Sequence, residues 1–300
     1  MQDPLIRKRK ANAEGEGEKK PRICEPINDQ VAKKTVPYAG KPYEEQLSLK
    51  KEEMLAVLKK LTKEVKEANY KDLYFLKKKI EAHQGYICDF AEMIPSPVLE
   101  KYRNKCEFTA GNLYFAHPLK IHDINISCVI GVNPETDELT LGFRVSTYKG
   151  GSIAVGPVSH LAFISDAMQK VVSVFEAHFR ASGRKAFNPE DHSGFWRQIL
   201  VRSNLAGEVL VIVMVHPQDL STEEIESVKN ELKSLAEANK IASLYFQAVG
   251  KKQSGEDPPL QHVTGATHLV EKLCGLEFTI SPLAFFQVLS GETFVFLFPI

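Results

Sequence analysis

Seven consecutive apolar residues, Val209-Leu210-Val211-Ile212-Val213-Met214-Val215, constrain the fold of this chain more than any other stretch. An unbroken aliphatic run of strand length, lying between the turn at Ala206-Gly207 and Pro217, predicts a strand covered on both faces. Immediately after it, Ser221-Thr222-Glu223-Glu224 has the spacing of a capping box and predicts a helix through about Ala238. Ile225, Val228, Leu232 and Leu235 form that helix's apolar face. Trp196 to Ser203 predicts a strand before the run and Leu244 to Val249 one after the helix. The resulting β-β-α-β order predicts a compact α+β domain.

Upstream, Ser165 caps a predicted helix through about Arg180, with Met168, Val171, Val172, Phe175 and Phe179 on one side and Gly183 as its stop. Residues 102–108 alternate as a strand does, setting Arg103 and Lys105 apart from Cys106 and Phe108 across the pleat. Residues 141–148 and 153–155 flank Lys149-Gly150-Gly151, a hairpin turn by composition. The apolar stretch Asn112 to Cys128 is either an insertion in a surface loop or sequence foreign to the fold.

Pro42 opens a predicted helix whose stripe is Leu47, Met54, Leu58, Leu61 and Val65, expected to pack on its own domain. A second helical patch holds Leu73, Phe75, Leu76 and Ile80, with Lys77, Lys78 and Lys79 as a solvated face or a phosphate contact. Ahead of these, residues 1–40 are rich in Lys, Glu, Gly and Pro and are expected to be disordered. The basic clusters Arg7-Lys8-Arg9-Lys10 and Lys19-Lys20-Pro21-Arg22 fit a bipartite nuclear localisation signal or a solvated charged tail.

Lysine plus arginine and aspartate plus glutamate both number 38, so no global field draws this chain to nucleic acid, and RNA contact would come from local basic patches. No apolar run reaches the roughly 20 residues needed to span a bilayer, and the basic start has no apolar segment of a secretory signal. An intracellular protein, in cytoplasm and/or nucleus and with no membrane partner, is the expectation. The five cysteines (Cys24, Cys88, Cys106, Cys128 and Cys274) have no metal-clip spacing, so no metal site is expected.

Near the C-terminus, Pro282 ends the strand-like run Glu277 to Ile280 and leads to Phe285, Phe286 and Gln287. Flat apolar faces beside an amide that donates and accepts suit a pocket for a heteroaromatic ring, though by themselves these residues suit a buried Phe pair with a surface Gln better. The segment ISPLAFFQV resembles the S-P-x-A-F-F-Q-V-N stretch of the RNA uracil-5-methyltransferases. PYEEQLSLK (42–50) and SPVLEKYRNKCEF (96–108) resemble that family's Y-x-x-Q-L-x-x-K and S-P-x-x-x-Y-R-x-K-x-E-F blocks, and WRQILVRSN with VLVIVMVHP resembles its paired strands before the F-F-Q motif.

The resemblance implies S-adenosylmethionine-dependent methylation of uridine C5 in tRNA, in the T-loop. A cysteine thiolate adds to C6 of a flipped base, and a carboxylate later removes the C5 proton. It also implies that Gln287 contacts the methyl donor with Phe285 beside it, and that Arg103 and Lys105 form a basic pair for RNA phosphates. Lys149, next to two glycines, is a further RNA candidate. The family's donor domain is Rossmann-like and follows the F-F-Q block. Here LSGETFVFLFPI follows Val288, and the sole G-x-G, Gly15-Glu16-Gly17, follows no strand. Cys106 reads as a structural thiol, and no catalytic residue is assigned to this chain.

The expected organisation is a tail (1–40), a helical segment (41–95), a central α+β domain (96–274) and the first edge of a truncated Rossmann-like methyltransferase domain (275–300). The chain is expected to be a monomeric, inactive short form. Two other readings stand beside it: an RNA-binding fragment or pseudoenzyme acting on tRNA, and a protein-interaction module built on the helix from Pro42.

Overall fold

The computed structural model describes residues 26–68, 74–112, 138–145, 154–250 and 258–286, together with the backbone of 115–121 and 124–131. Three helices come first: α1 (Ile27–Thr35), α2 (Tyr43–Glu67) and α3 (Tyr74–Ala82). The centre is a seven-stranded sheet in the order β5-β4-β1-β6-β7-β8-β9. Its strands are β1 (Lys105–Asn112), β4 (Leu139–Arg144), β5 (Val155–Gly156), β6 (Trp196–Ser203), β7 (Val209–Val215), β8 (Ser243–Ala248) and β9 (Gln261–Gly265). Pairing is antiparallel except between β7 and β8, which run parallel because α5 (Thr222–Ala238) carries the chain back across the sheet.

The double burial expected of the apolar run is what β7 shows. Val209, Val211, Val213 and Val215 enter the main core with Phe108, Ile199, Val201 and Phe246, beneath α5 and α4 (Asp166–Ala181). Leu210 and Ile212 point the other way, into a smaller cluster with Leu200, Tyr245 and Leu269. Ser221 caps α5 by accepting from Glu224 N while the Glu224 carboxylate accepts from Ser221 N, and Ser165 caps α4 by accepting from Met168 N. Gly183, at φ 65°, follows the end of α4, the left-handed stop expected there.

Three expectations are revised. Residues 27–35 lie within the stretch expected to be disordered, yet they form α1, whose Val31 is fully buried against the sheet edge. A Cβ at Gly156 would come within 2.4 Å of Val31 Cγ2, so the absence of a side chain there is what admits α1. The stripe of α2 packs only in part: Leu47, Leu58 and Val65 are half-buried, Met54 and Leu61 are exposed, and Thr62 is the helix's one buried residue. A boundary at 274/275 would cut a hairpin, since β10 (Leu269–Leu273) pairs with β11 (Leu276–Ile280) through the turn Cys274-Gly275. Both turn residues have positive φ, 52° and 78°, as a two-residue type I′ connection requires. The stretch expected to be an insertion or foreign sequence forms an antiparallel pair, β2 (Phe115–Ile121) and β3 (Ile124–Gly131), outside the seven-stranded sheet and between its neighbours β1 and β4, a placement compatible with an insertion. The predicted hairpin at Lys149-Gly150-Gly151 and the basic clusters before residue 25 lie outside the described residues.

Candidate nucleic-acid interface

The strand block YRNKCEF begins with a parallel bridge, Arg103 to Ile164, in which Arg103 N donates to Phe163 O at 3.1 Å. This sets Arg103 and Lys105 on one side of β1 and turns Cys106 and Phe108 inward, the alternation expected from the sequence. Arg103 and Lys105 line a cavity of about 390 Å³ together with Tyr102, Phe143, Phe163 and Glu107. The aromatic wall is continuous: Tyr102 lies 6.3 Å from Phe163, and Phe163 stacks on Phe143 at 6.3 Å. Arg103 Nε donates to Lys105 O at 3.1 Å, and Lys105 Nζ lies 3.4 Å from Glu107 Oε1, so one carboxylate offsets part of the charge. More cations stand close by. Lys34 adjoins the lining residue Thr35, and its pKa is lowered by burial and then by the positive charge of Arg144.

A second cavity, of about 600 Å³, shares Tyr102 and Phe163 with the first and is walled by Tyr43, Gln46 and Lys50 of α2. Tyr43 fixes the approach of α2, because its hydroxyl accepts from Ser96 N at 2.6 Å. The 42–50 and 96–108 blocks, far apart in sequence, therefore build one trough of aromatic rings and ammonium or guanidinium groups. A flat ring can stack on a base and a cation can meet a phosphate, so the trough suits a nucleic acid strand.

Cys106, buried, also lines the first cavity. Burial pushes its thiol up to about 11, with the nearby Arg103 charge opposing the rise only in part. A thiol held that high is a roughly one-in-a-thousand thiolate at about pH 8, which suits a structural group and not a nucleophile. Alkylation of the folded protein at that pH is therefore expected to modify the exposed Cys88 and Cys274 and to spare Cys106 until denaturant is added. Peptide mass mapping reads the result, and early modification of Cys106 would refute its burial.

The ISPLAFFQV segment docks by its backbone. Arg202, on β6 and only 1% exposed, donates from Nη1 to Phe286 O at 3.0 Å and from Nη2 to Ala284 O. Asn104 Nδ2 adds a 3.3 Å bond to Phe286 O. Two residues beyond Arg202, Asn204 Nδ2 holds Val270 O at 2.9 Å, and buried Glu271 accepts from Leu205 N at 3.2 Å. The ends of the YRNK, WRQILVRSN and SPLAFF blocks thus meet at one hydrogen-bonded node.

Arg202 and Asn104 were not legible as functional positions in the sequence, although their place inside two of the resembling blocks was a signal. Phe286 leans on Phe278 at 5.6 Å, but Phe285 is 87% exposed and borders none of the cavities described here. The expectation of a ring-lined pocket at Phe285 is therefore not met among the described residues: with the backbone carbonyls turned to the sheet, the ring faces out. Gln287 and Lys149 lie outside the described residues, and no cluster of three or more potential metal ligands occurs among those described.

No family model matches the chain. It is 34% identical over 293 residues to the tRNA (uracil-5-)-methyltransferase homolog A of Mus musculus, covering 95% of this chain and 43% of that protein. Against the homolog B of the same organism it is 30% identical over 281 residues, covering 90% of this chain and 52% of that protein. The chain thus spans about half the length of the curated relatives it matches. A solved structure of Pyrococcus abyssi tRNA (uracil-54, C5)-methyltransferase with S-adenosyl-L-homocysteine overlaps 73% of this chain and 44% of that one, at TM-score 0.46 and 16% identity, too loosely to carry an argument. Over nearly its whole length, then, the chain is a homologue of the tRNA (uracil-5-)-methyltransferases.

Proposed function

We propose that this chain serves the S-adenosylmethionine-dependent methylation of uridine C5 in tRNA, and that what it contributes is recognition of the RNA. The carrying observation is the trough in which Arg103 and Lys105 stand beside Tyr102, Phe143 and Phe163. Cations there neutralise phosphate and release counterions, while the rings offer faces to bases splayed from a loop. The kinship to tRNA methyltransferases favours tRNA over other RNA, and a T-loop uridine is the proposed target.

The fit to a methyl donor is poorer. None of the cavities described above borders Phe285, and the two of the trough are walled by its own cations and rings. The described residues by themselves form no holder for an adenosyl group, so no chemical step is derived through one. Phe285 and Gln287 are proposed as donor-side contacts on the resemblance alone, and a donor would meet the Phe285 ring from its open side. We further propose that the 300-residue polypeptide binds tRNA as a monomer without methylating it, because Cys106, the buried thiol at the trough, is held neutral. A role in the nucleus as well as the cytoplasm is proposed on the two basic clusters. Among the described residues, no helix is long and apolar enough to cross a membrane.

The test is tRNA binding across a salt series. Each phosphate contact contributes about 0.7–0.9 to the slope of log affinity against log salt, so Arg103→Gln with Lys105→Gln is expected to flatten it by about 1.5. Affinity at about 0.1 M salt should fall roughly tenfold. A wild-type affinity indifferent to salt would show the trough to be ordinary surface charge. Incorporation of labelled methyl into tRNA by the purified chain would overturn the proposal that it does not catalyse.

A further inference from the structure

The packing of α2 leaves one of its faces unexplained. Lys59, Lys60, Lys63 and Lys66 line a groove of about 720 Å³, which Glu67 and Gly85 help to close. Four cations thus face a single carboxylate. The ion pairs present are loose and exposed, Lys60 to Glu64 at 3.9 Å and Lys63 to Glu67 at 3.7 Å, and such pairs contribute little. Lys59 and Lys66 form no ion pair among the described residues. The groove is built, because Ile87 N donates to Thr62 Oγ1 at 3.1 Å and fixes the turn that ends α3 against α2. On α3, exposed Tyr74 and Phe75 each carry a lysine over the ring, Lys78 and Lys79, both at 4.8 Å from the centroid. Aromatic faces interleaved with ammonium groups repeat the chemistry of the trough.

The same helix joins the two places. Lys50 walls the aromatic trough and Lys66 the lysine groove, and sixteen residues of helix separate them by about 24 Å. We propose that the lysine groove is a second phosphate site, which takes the sugar-phosphate backbone of the same RNA at a distance from the bases held in the trough. Lysine, a compact charge on a flexible stem, suits backbone contact without base reading. A concave groove fits a rod of phosphates, whereas a flat anionic membrane would meet the rims alone. The inference rests on the RNA-binding reading given above.

The test uses the full chain, an unmodified tRNA transcript, and a triple variant Lys59→Gln, Lys63→Gln and Lys66→Gln. Glutamine keeps the helix propensity of lysine, and far-ultraviolet circular dichroism checks that α2 persists. The expected result is a weakening of about tenfold and a salt slope shallower by about two, with the corresponding triple arginine variant binding like wild type. If wild type does not bind tRNA at all, the RNA-binding reading fails and this inference falls with it. If wild type binds, Arg103→Gln with Lys105→Gln binds less, and the glutamine triple matches wild type, the second site alone is refuted. If the glutamine triple keeps tRNA affinity but loses binding to phosphatidylserine vesicles, the groove is a lipid contact and the proposal is overturned.

Discussion

Replacing Arg202 with methionine is expected to free residues 281–286 from the sheet while leaving the rest of the fold intact. The guanidinium is buried and spans two carbonyls, Ala284 O and Phe286 O. Phe286 O keeps the Asn104 amide as a donor, but Ala284 O has no other donor among the side-chain bonds described here. Leaving a buried acceptor unmade costs about 1–3 kcal/mol. Methionine returns some of this by removing a buried charge whose pKa burial already depresses. A net loss of about 1–2 kcal/mol follows, carried by the docking of the segment. Hydrogen exchange resolved by peptide should show faster exchange across 281–286 and no change in β7 or α5. Unchanged exchange there would mean that the segment is held by its apolar contacts instead.

Trp196→Ala is expected to cost more, about 3–5 kcal/mol, and to act on the whole domain. The indole is fully buried, stacks on Phe179 at 3.8 Å and 8°, and meets Phe195 edge-on at 4.8 Å. Its Nε1 donates to Ser182 Oγ at 3.0 Å, so truncation opens a cavity and also removes one of that hydroxyl's two donors, Arg184 N at 3.2 Å remaining. The denaturant midpoint by circular dichroism should fall at unchanged slope. Since this is the chain's one tryptophan, fluorescence of the wild type reports unfolding at this site alone. A loss under about 1 kcal/mol would mean that the layer between α4 and the sheet collapses to fill the gap.

These two residues mark how much the sequence discloses. Trp196 begins a strand that hydrophobic pattern alone delimits, and its neighbours β7 and α5 start and stop where the apolar run and the capping box put them. Local physics suffices there, because each residue's burial follows from its period. Arg202 belongs to the same strand, but its partners lie 82 and 84 positions away, and nothing local tells a buried clamp from a surface charge. The helix α1 escaped for the same reason. It is short and mostly polar, and its one fully buried residue, a valine, is seated against a glycine 125 positions later. The trough was half legible: the alternation of YRNKCEF separated its cations from its thiol, while the contribution of α2 came only from the fold. The exposure of Phe285 could not be read from two adjacent phenylalanines, because which ring turns inward depends on how the backbone is pinned.

The seating of Val31 against Gly156 has one more consequence. It fixes the point where the preceding polypeptide is attached, with Thr35, at the far end of that nine-residue helix, lining the Arg103/Lys105 cavity. Pro26 thus lies within about 15 Å of that cavity, the length of the helix. Residues 1–25 are covalently joined to the chain at this point. Their seven arginines and lysines would accordingly compete for, or add to, whatever anion arrives at that doorway.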